Sequence, residues 1–136
     1  MKKTFYLLLI MTVLSTALMA DENPFFKPFD TEFGTPSFDK IKIEHYEPAF
    51  DEAINQHKLE IDAIIANTEH PTFENTIVAM EHSGGMMNRV ASVFFNLSSA
   101  ESNDEMMLIS QRLSPKLSEH SNNINLNEKL FNKIKS

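Results

Sequence analysis

The stretch EHYEPAFDEAINQHKLEIDAIIAN, residues 44–67, decides the fold. Within it Tyr46, Phe50, Ala53, Ile54, His57, Ile61, Ile64 and Ile65 recur at three- and four-residue steps, the spacing of one face of an α-helix. Asp51, Glu52, Gln56, Lys58, Glu60 and Asp62 fill much of the rest. The pattern predicts an amphipathic helix ending near Asn67, with Asn67, Thr68, Glu69, His70 and Pro71 as the connection.

Working towards the carboxyl end, Thr72 is a favourable N-cap, and Phe73, Ile77, Met80, Gly84, Met87, Ala91, Phe94 and Ser98 follow in a four-three alternation. The phase runs straight through Gly84 and Gly85, so one long helix is expected, with a break at Ser83-Gly84-Gly85 as the competing reading because each mid-helix glycine costs about 1 kcal/mol. Ser102 with Glu105 reads as a capping box. The helix it opens carries Met106, Ile109, Leu113 and Leu117, and Pro115 predicts a kink or restart near Leu113. Asn127 can cap a last helix bearing Leu130, Phe131 and Ile134. No stop signal follows Ile134. The expectation is therefore an all-α segment, 43–136, cut short within an element, marginally stable or self-associating by itself.

Working towards the amino end, residues 21–42 hold Pro24, Pro28, Pro36 and Gly34, which disfavour helix and predict an extended lead-in. Phe25, Phe26, Phe29, Phe33 and Phe38 are too dense for a solvated linker, since each would forfeit about 1.5–3 kcal/mol of burial. The arm is expected to lie pinned across a helical surface. Residues 1–20 read as a signal peptide: Lys2 and Lys3, an apolar run over residues 4–14, then small residues with Ala17 and Ala20 as cleavage points. A retained anchor is the competing reading, but Ser15 and Thr16 interrupt the run and Asp21 and Glu22 follow it. Export is expected, with the periplasm as destination and no membrane attachment after cleavage.

Charge and composition exclude several functions. The 136 residues carry 12 Lys plus Arg against 19 Asp plus Glu, a net charge of -7, and loss of residues 1–20 makes it -9. No basic stripe is available for phosphates, so nucleic-acid partners are not expected. The absence of cysteine excludes disulfides, thiolate metal sites, cysteine nucleophiles and lipid attachment through cysteine.

The residues that could carry chemistry are few. Histidines at i and i+4 would place two imidazoles on one helix face, yet Glu44-His45, His57, Glu69-His70, Glu81-His82 and Glu119-His120 never show H-E-x-x-H. His70 and Glu74 are four apart but flank Pro71. The histidines read as solvated or capping groups, with His57 half-buried. Ser83 beside His82 lacks a nucleophile-elbow context. Glu44, Glu47, Asp51 and Glu52 read as a solvated face rather than a cation site or acid/base pair. Met80, Met86, Met87, Met106 and Met107 read as core packing before a soft peptide groove. Asn96-Leu97-Ser98 fits a glycosylation acceptor but falls in a predicted helix.

Several ordered phrases carry more information than any of these. Phe33-Gly34-Thr35-Pro36-Ser37-Phe38-Asp39-Lys40-Ile41, Glu44-His45-Tyr46-Glu47-Pro48-Ala49-Phe50 and Pro71-Thr72-Phe73-Glu74-Asn75-Thr76-Ile77 resemble the amino-terminal region of bacterial peptidyl-dipeptidases. Val93-Phe94-Phe95-Asn96-Leu97, Ser99 to Glu105 and Leu113 to His120 continue the likeness in order, so that it spans residues 23–134. These are dipeptidyl carboxypeptidases of the thimet oligopeptidase family of zinc metallopeptidases. The resemblance implies a two-lobed helical enzyme around a deep channel, acting on short peptides and releasing carboxyl-terminal dipeptides. It implies one zinc on an H-E-x-x-H helix with a downstream glutamate. No position here matches those residues, so no catalytic, cofactor-binding or metal residue is assigned. The expectation is part of the amino-terminal lobe, made of antiparallel long helices, inactive and without zinc by itself. A small secreted helical module that binds peptides or a partner protein is the alternative.

Overall fold

A computed structural model describes residues 22–101 and 103–136, which form helices and turns with no strand among them. The signal-peptide reading, including Lys2, Lys3, Ala17 and Ala20, lies outside the described residues. Three single 3-10 turns, Pro24–Phe26, Glu32–Gly34 and Ile43–His45, lead into α1, Tyr46–Ala66. A π-helical turn, Phe73–Val78, runs into the short α2, Ala79–His82; then come α3, Gly85–Ala100, α4, Asp104–Asn125, and α5, Glu128–Lys135.

The first helix forms where its apolar stripe predicts. Pro48 sits in its first turn, where a missing N–H costs no helical bond. Glu47 places a negative charge at the positive end of the helix dipole. At the far end Asn67 turns extended, its N–H still bonded to the Ala63 and Ile64 carbonyls at 3.1 and 3.4 Å.

Contacts fix the directions of the helices around α1. Tyr46 and Phe50 meet Phe94, whereas His57 and Glu60 meet Ser83 and Gly84, so α3 runs antiparallel to α1. Glu47, Asp51 and His57 meet Arg112, Lys116 and His120 in that order, so α4 runs parallel to α1. The expected antiparallel arrangement thus holds for successive long helices, and α4 returns in the direction of α1.

The larger core lies where these helices converge. Phe25, Tyr46, Ala49, Phe50 and Ala53 pack with Met86, Val90, Val93, Phe94, Met106, Ile109 and Leu113. Phe94 presents edges and faces to Tyr46 at 5.0 Å and Phe50 at 5.6 Å between ring centroids, an arrangement that aromatic quadrupoles favour. A smaller cluster, Ile61, Ile64 and Leu130, holds α5 against the end of α1. Lys133 there donates to the Asn67 carbonyl at the α1 terminus.

Several expectations need correction. The predicted long helix from Thr72 does not form, although Thr72 caps its start by accepting from the Asn75 N–H at 3.1 Å. A π turn inserts an extra residue, and Gly84 then takes a left-handed conformation at φ 72°, so the helical phase is reset. The buried face of α3 is consequently Met86, Val90, Val93 and Phe94, and Phe73 and Ile77 are exposed. Pro115 does not restart the third long helix, since α4 is continuous across it. Pro115 and Gln111, whose carbonyl loses its donor, both lie on the exposed side, where water can replace the bond. The cap of α4 is Asn103, accepting from the Met106 N–H at 2.9 Å, and Ser102 lies outside the described residues.

The lead-in is pinned chiefly through its first turn. Phe25 is fully buried and its carbonyl accepts from Arg89 Nε and Nη2 at 3.3 and 3.0 Å, while Asn23 Nδ2 donates to the His45 carbonyl at 2.7 Å. Phe29 packs against the core, but Phe26, Phe33 and Phe38 remain exposed, Phe33 at 93%.

Candidate functional site

The described residues place their most organised polar cluster on the second half of α1. His57 projects from α1, His120 from α4, and Ser83 from the junction between α2 and α3. His120 Nε2 lies 3.0 Å from His57 Nδ1, His57 Nε2 lies 3.2 Å from Ser83 Oγ, and Ser83 Oγ donates to the Met80 carbonyl at 2.7 Å. The two imidazoles meet edge to face at 4.9 Å.

The partners fix the protons. A carbonyl oxygen only accepts, so the Ser83 hydroxyl proton goes to Met80 and its oxygen accepts from His57 Nε2–H. Neutral His57 then has a bare Nδ1, which accepts from His120 Nε2–H. The three hydrogen bonds are thereby made with both rings neutral. Burial, followed by repulsion from His57, pushes the His120 pKa below its ordinary value, which favours that neutral form. Beside the rings, Gly84 N–H donates to Glu60 Oε2 at 2.6 Å. Its Cα lies so close to His57 that an added Cβ would sit 3.0 Å from the ring.

A groove of about 590 Å³ opens next to this cluster between α1 and α4. Ile54, Ile61 and Ile124 supply apolar walls, and Asp51, Lys58, Asp62, Lys116, Glu119 and His120 supply charge and polarity.

This arrangement does not make a nucleophile. Ser83 spends its proton on a backbone carbonyl, and His57 faces it as a donor rather than a base. Nor does it fit zinc: the two histidines are bonded to each other, and no group of three His, Cys, Asp or Glu among the described residues is placed to hold a metal.

The other residues singled out from sequence have structural employment. His45 is buried, its Nδ1 accepting from the Lys42 N–H at 3.1 Å ahead of α1, so it caps as read. His70 is exposed beside the Pro71 carbonyl, and His82 is exposed. The four carboxylates are solvent-accessible, as read, and two of them also make exposed pairings. Glu47 pairs with Arg112 and Asp51 with Lys116, joining α1 to α4, while Glu44 and Glu52 are exposed. Arg112 holds the Glu47 carboxyl below its ordinary value. Met86 and Met106 are core residues, Met80 and Met87 pack partly buried, and Met107 is exposed. Asn96 lies on α3 with its amide bonded to the Ser92 carbonyl.

Sequence reasoning recognised His57 as half-buried but missed its partners. They lie 26 and 63 residues away, and no local motif links them.

Comparison with known proteins identifies the chain's relatives. No family model matches. Over 116 residues the chain is 42% identical to the dipeptidyl carboxypeptidase of Escherichia coli (strain K12), covering 85% of this chain and 17% of that protein. The chain is homologous to the amino-terminal part of the dipeptidyl carboxypeptidases. The Salmonella typhimurium dipeptidyl carboxypeptidase is 41% identical over 112 residues, 82% of this chain and 16% of the relative. Oligopeptidase A of the same organism is 27% identical over 105 residues, 77% of this chain and 15% of the relative. The chain thus spans about a sixth of the length of the first two curated relatives.

Proposed function

We propose that the chain belongs to an exported, zinc-dependent peptidyl-dipeptidase that hydrolyses short peptides and releases carboxyl-terminal dipeptides. The observation that carries this reading is the 42% identity to a dipeptidyl carboxypeptidase along most of the chain. Identity at that level over 116 residues preserves both fold and packing, and the buried residues Tyr46, Ala49, Phe50, Val93 and Phe94 fall within the phrases that carry the resemblance. Within the enzyme, this region acts as helical wall and support. On this reading bond cleavage falls to residues elsewhere in the enzyme, since no H-E-x-x-H occurs in these 136 residues.

The test compares the 136-residue chain with the product of the complete reading frame on a short unstructured peptide. The longer product is expected to release carboxyl-terminal dipeptides in a chelator-sensitive manner, and the 136-residue chain to release none. Chelator-sensitive cleavage by the 136-residue chain would overturn the assignment of this region as wall. Absence of dipeptide release from the metal-loaded longer product would overturn the peptidase reading. Export is tested separately, by intact mass in the extracytoplasmic fraction, where loss of residues 1–20 is expected.

A further inference from the structure

We propose that His57 and His120 form a proton-operated joint: uncharged or sharing one added proton they tie α1, α4 and the Ser83-Gly84 junction together, and a second proton releases that tie. This proposal is independent of the peptidase reading.

The argument begins with the number of protons the chain can hold. The neutral pair uses one N–H between His120 Nε2 and His57 Nδ1 at 3.0 Å. One further proton, taken on His120 Nδ1, leaves that bond in place. A second must occupy His57 Nδ1, where it faces the N–H of His120. Two N–H groups then oppose each other and two cations lie with centroids 4.9 Å apart, in a partly buried setting that strengthens their repulsion. Separation of the rings relieves both.

The surrounding charges do not cancel this repulsion. On α1, Asp51, Lys58 and Asp62 line the groove that His120 borders; on α4, Lys116 and Glu119 do so. Asp51 is already paired with Lys116. Glu60 is engaged by the Gly84 N–H. From the α2–α3 side the rings meet Ser83, Gly84 and Met87, and Glu81 and His82 are exposed. Among the described residues the imidazoles bond to each other and to Ser83 rather than to a carboxylate, so no anion in direct contact neutralises the added protons.

The sign follows from proton uptake. An imidazole freed into water takes up a proton near the ordinary histidine value of about 6.5, whereas burial and then His57 hold His120 in the joined pair below its ordinary value. Release therefore takes up protons and becomes easier as pH falls below that value. The junction is suited to respond: Ser83 and Gly84 interrupt the helix between α2 and α3, and Gly84 already holds a left-handed conformation against His57.

The experiment is hydrogen–deuterium exchange on the full-length polypeptide, between pH 7.5 and pH 5, corrected for intrinsic exchange rates. Peptides covering residues 80–90 and 115–125 are expected to lose protection by about tenfold or more over that range. Peptides covering residues 46–53 are expected to hold theirs. His120→Gln keeps an N–H donor near the reach of Nε2 without a titrating ring, and is expected to flatten the loss to within about twofold. A flat wild-type profile, an equal loss in residues 46–53, or an undiminished slope in folded His120→Gln overturns the proposal. Should that variant not fold, the wild-type contrast between the junction and residues 46–53 decides alone.

Discussion

The first half of α1 lies in an aromatic core, with Tyr46 and Phe50 buried among Phe94 and Phe25, whereas its second half carries His57 against His120, borders a groove and packs Ile61 and Ile64 on Leu130. The same helix is therefore held in two ways. Apolar packing at the first end is large, non-directional and indifferent to pH. At the second end, geometry and protonation matter as much as area, because Ser83, His57 and His120 satisfy one another only while His57 Nδ1 carries no proton. The difference locates where this domain can be altered without unfolding it.

The sharpest way to break the contrast is to open the aromatic core. Phe94→Ala removes a fully buried ring that touches Tyr46 and Phe50, and should destabilise by about 3–5 kcal/mol. Urea denaturation followed by circular dichroism measures it. Leu130→Ala tests the other end, where only Ile61 and Ile64 are comparably buried around it, and should cost about 2–3 kcal/mol. A larger loss at Leu130 than at Phe94 would reverse the ranking of the two cores.

Gly84→Ala addresses the junction. The left-handed φ of 72° penalises any Cβ, and that atom would press on the His57 ring, so about 1–3 kcal/mol should be lost. Gly85→Ala is the control: nothing lies near its Cβ, and helix propensity should make it neutral or slightly stabilising.

The smallest effect is expected from Glu47→Gln, which removes an exposed pairing with Arg112. Its pH dependence is informative nonetheless. Because Arg112 depresses the Glu47 carboxyl, the pair contributes above the ordinary value of 4.5, and that contribution disappears as pH falls through the lower folded value. The variant should therefore differ from the parent at neutral pH and converge with it in strong acid, as thermal melts across that range would reveal.

Much of the fold was legible before any coordinates. The stripe from Tyr46 to Ile65, the Thr72 cap and the Asn127 cap all reappear, since each depends on residues within one or two helical turns. The path from Phe73 to Ser98 was misread because a π turn and a left-handed glycine leave the spacing of apolar residues nearly regular while moving the buried face by one position. The lead-in was half-read for a related reason. Phenylalanine density reports a demand for burial, but only Phe25 and Phe29 reach the helices here.

What the sequence determined by itself was the helical class, the acidic charge that disfavours nucleic-acid partners, the exclusion of cysteine chemistry and the likeness to peptidyl-dipeptidases. All of these rest on composition, on periodicity along one segment, or on ordered phrases. Tertiary structure alone decided that α4 returns parallel to α1, that Glu47 and Asp51 bridge to it, and that His57 meets Ser83 and His120. Those contacts join residues separated by 26 to 65 positions, and their energy depends on angstrom-scale distances and proton positions that no local spacing encodes.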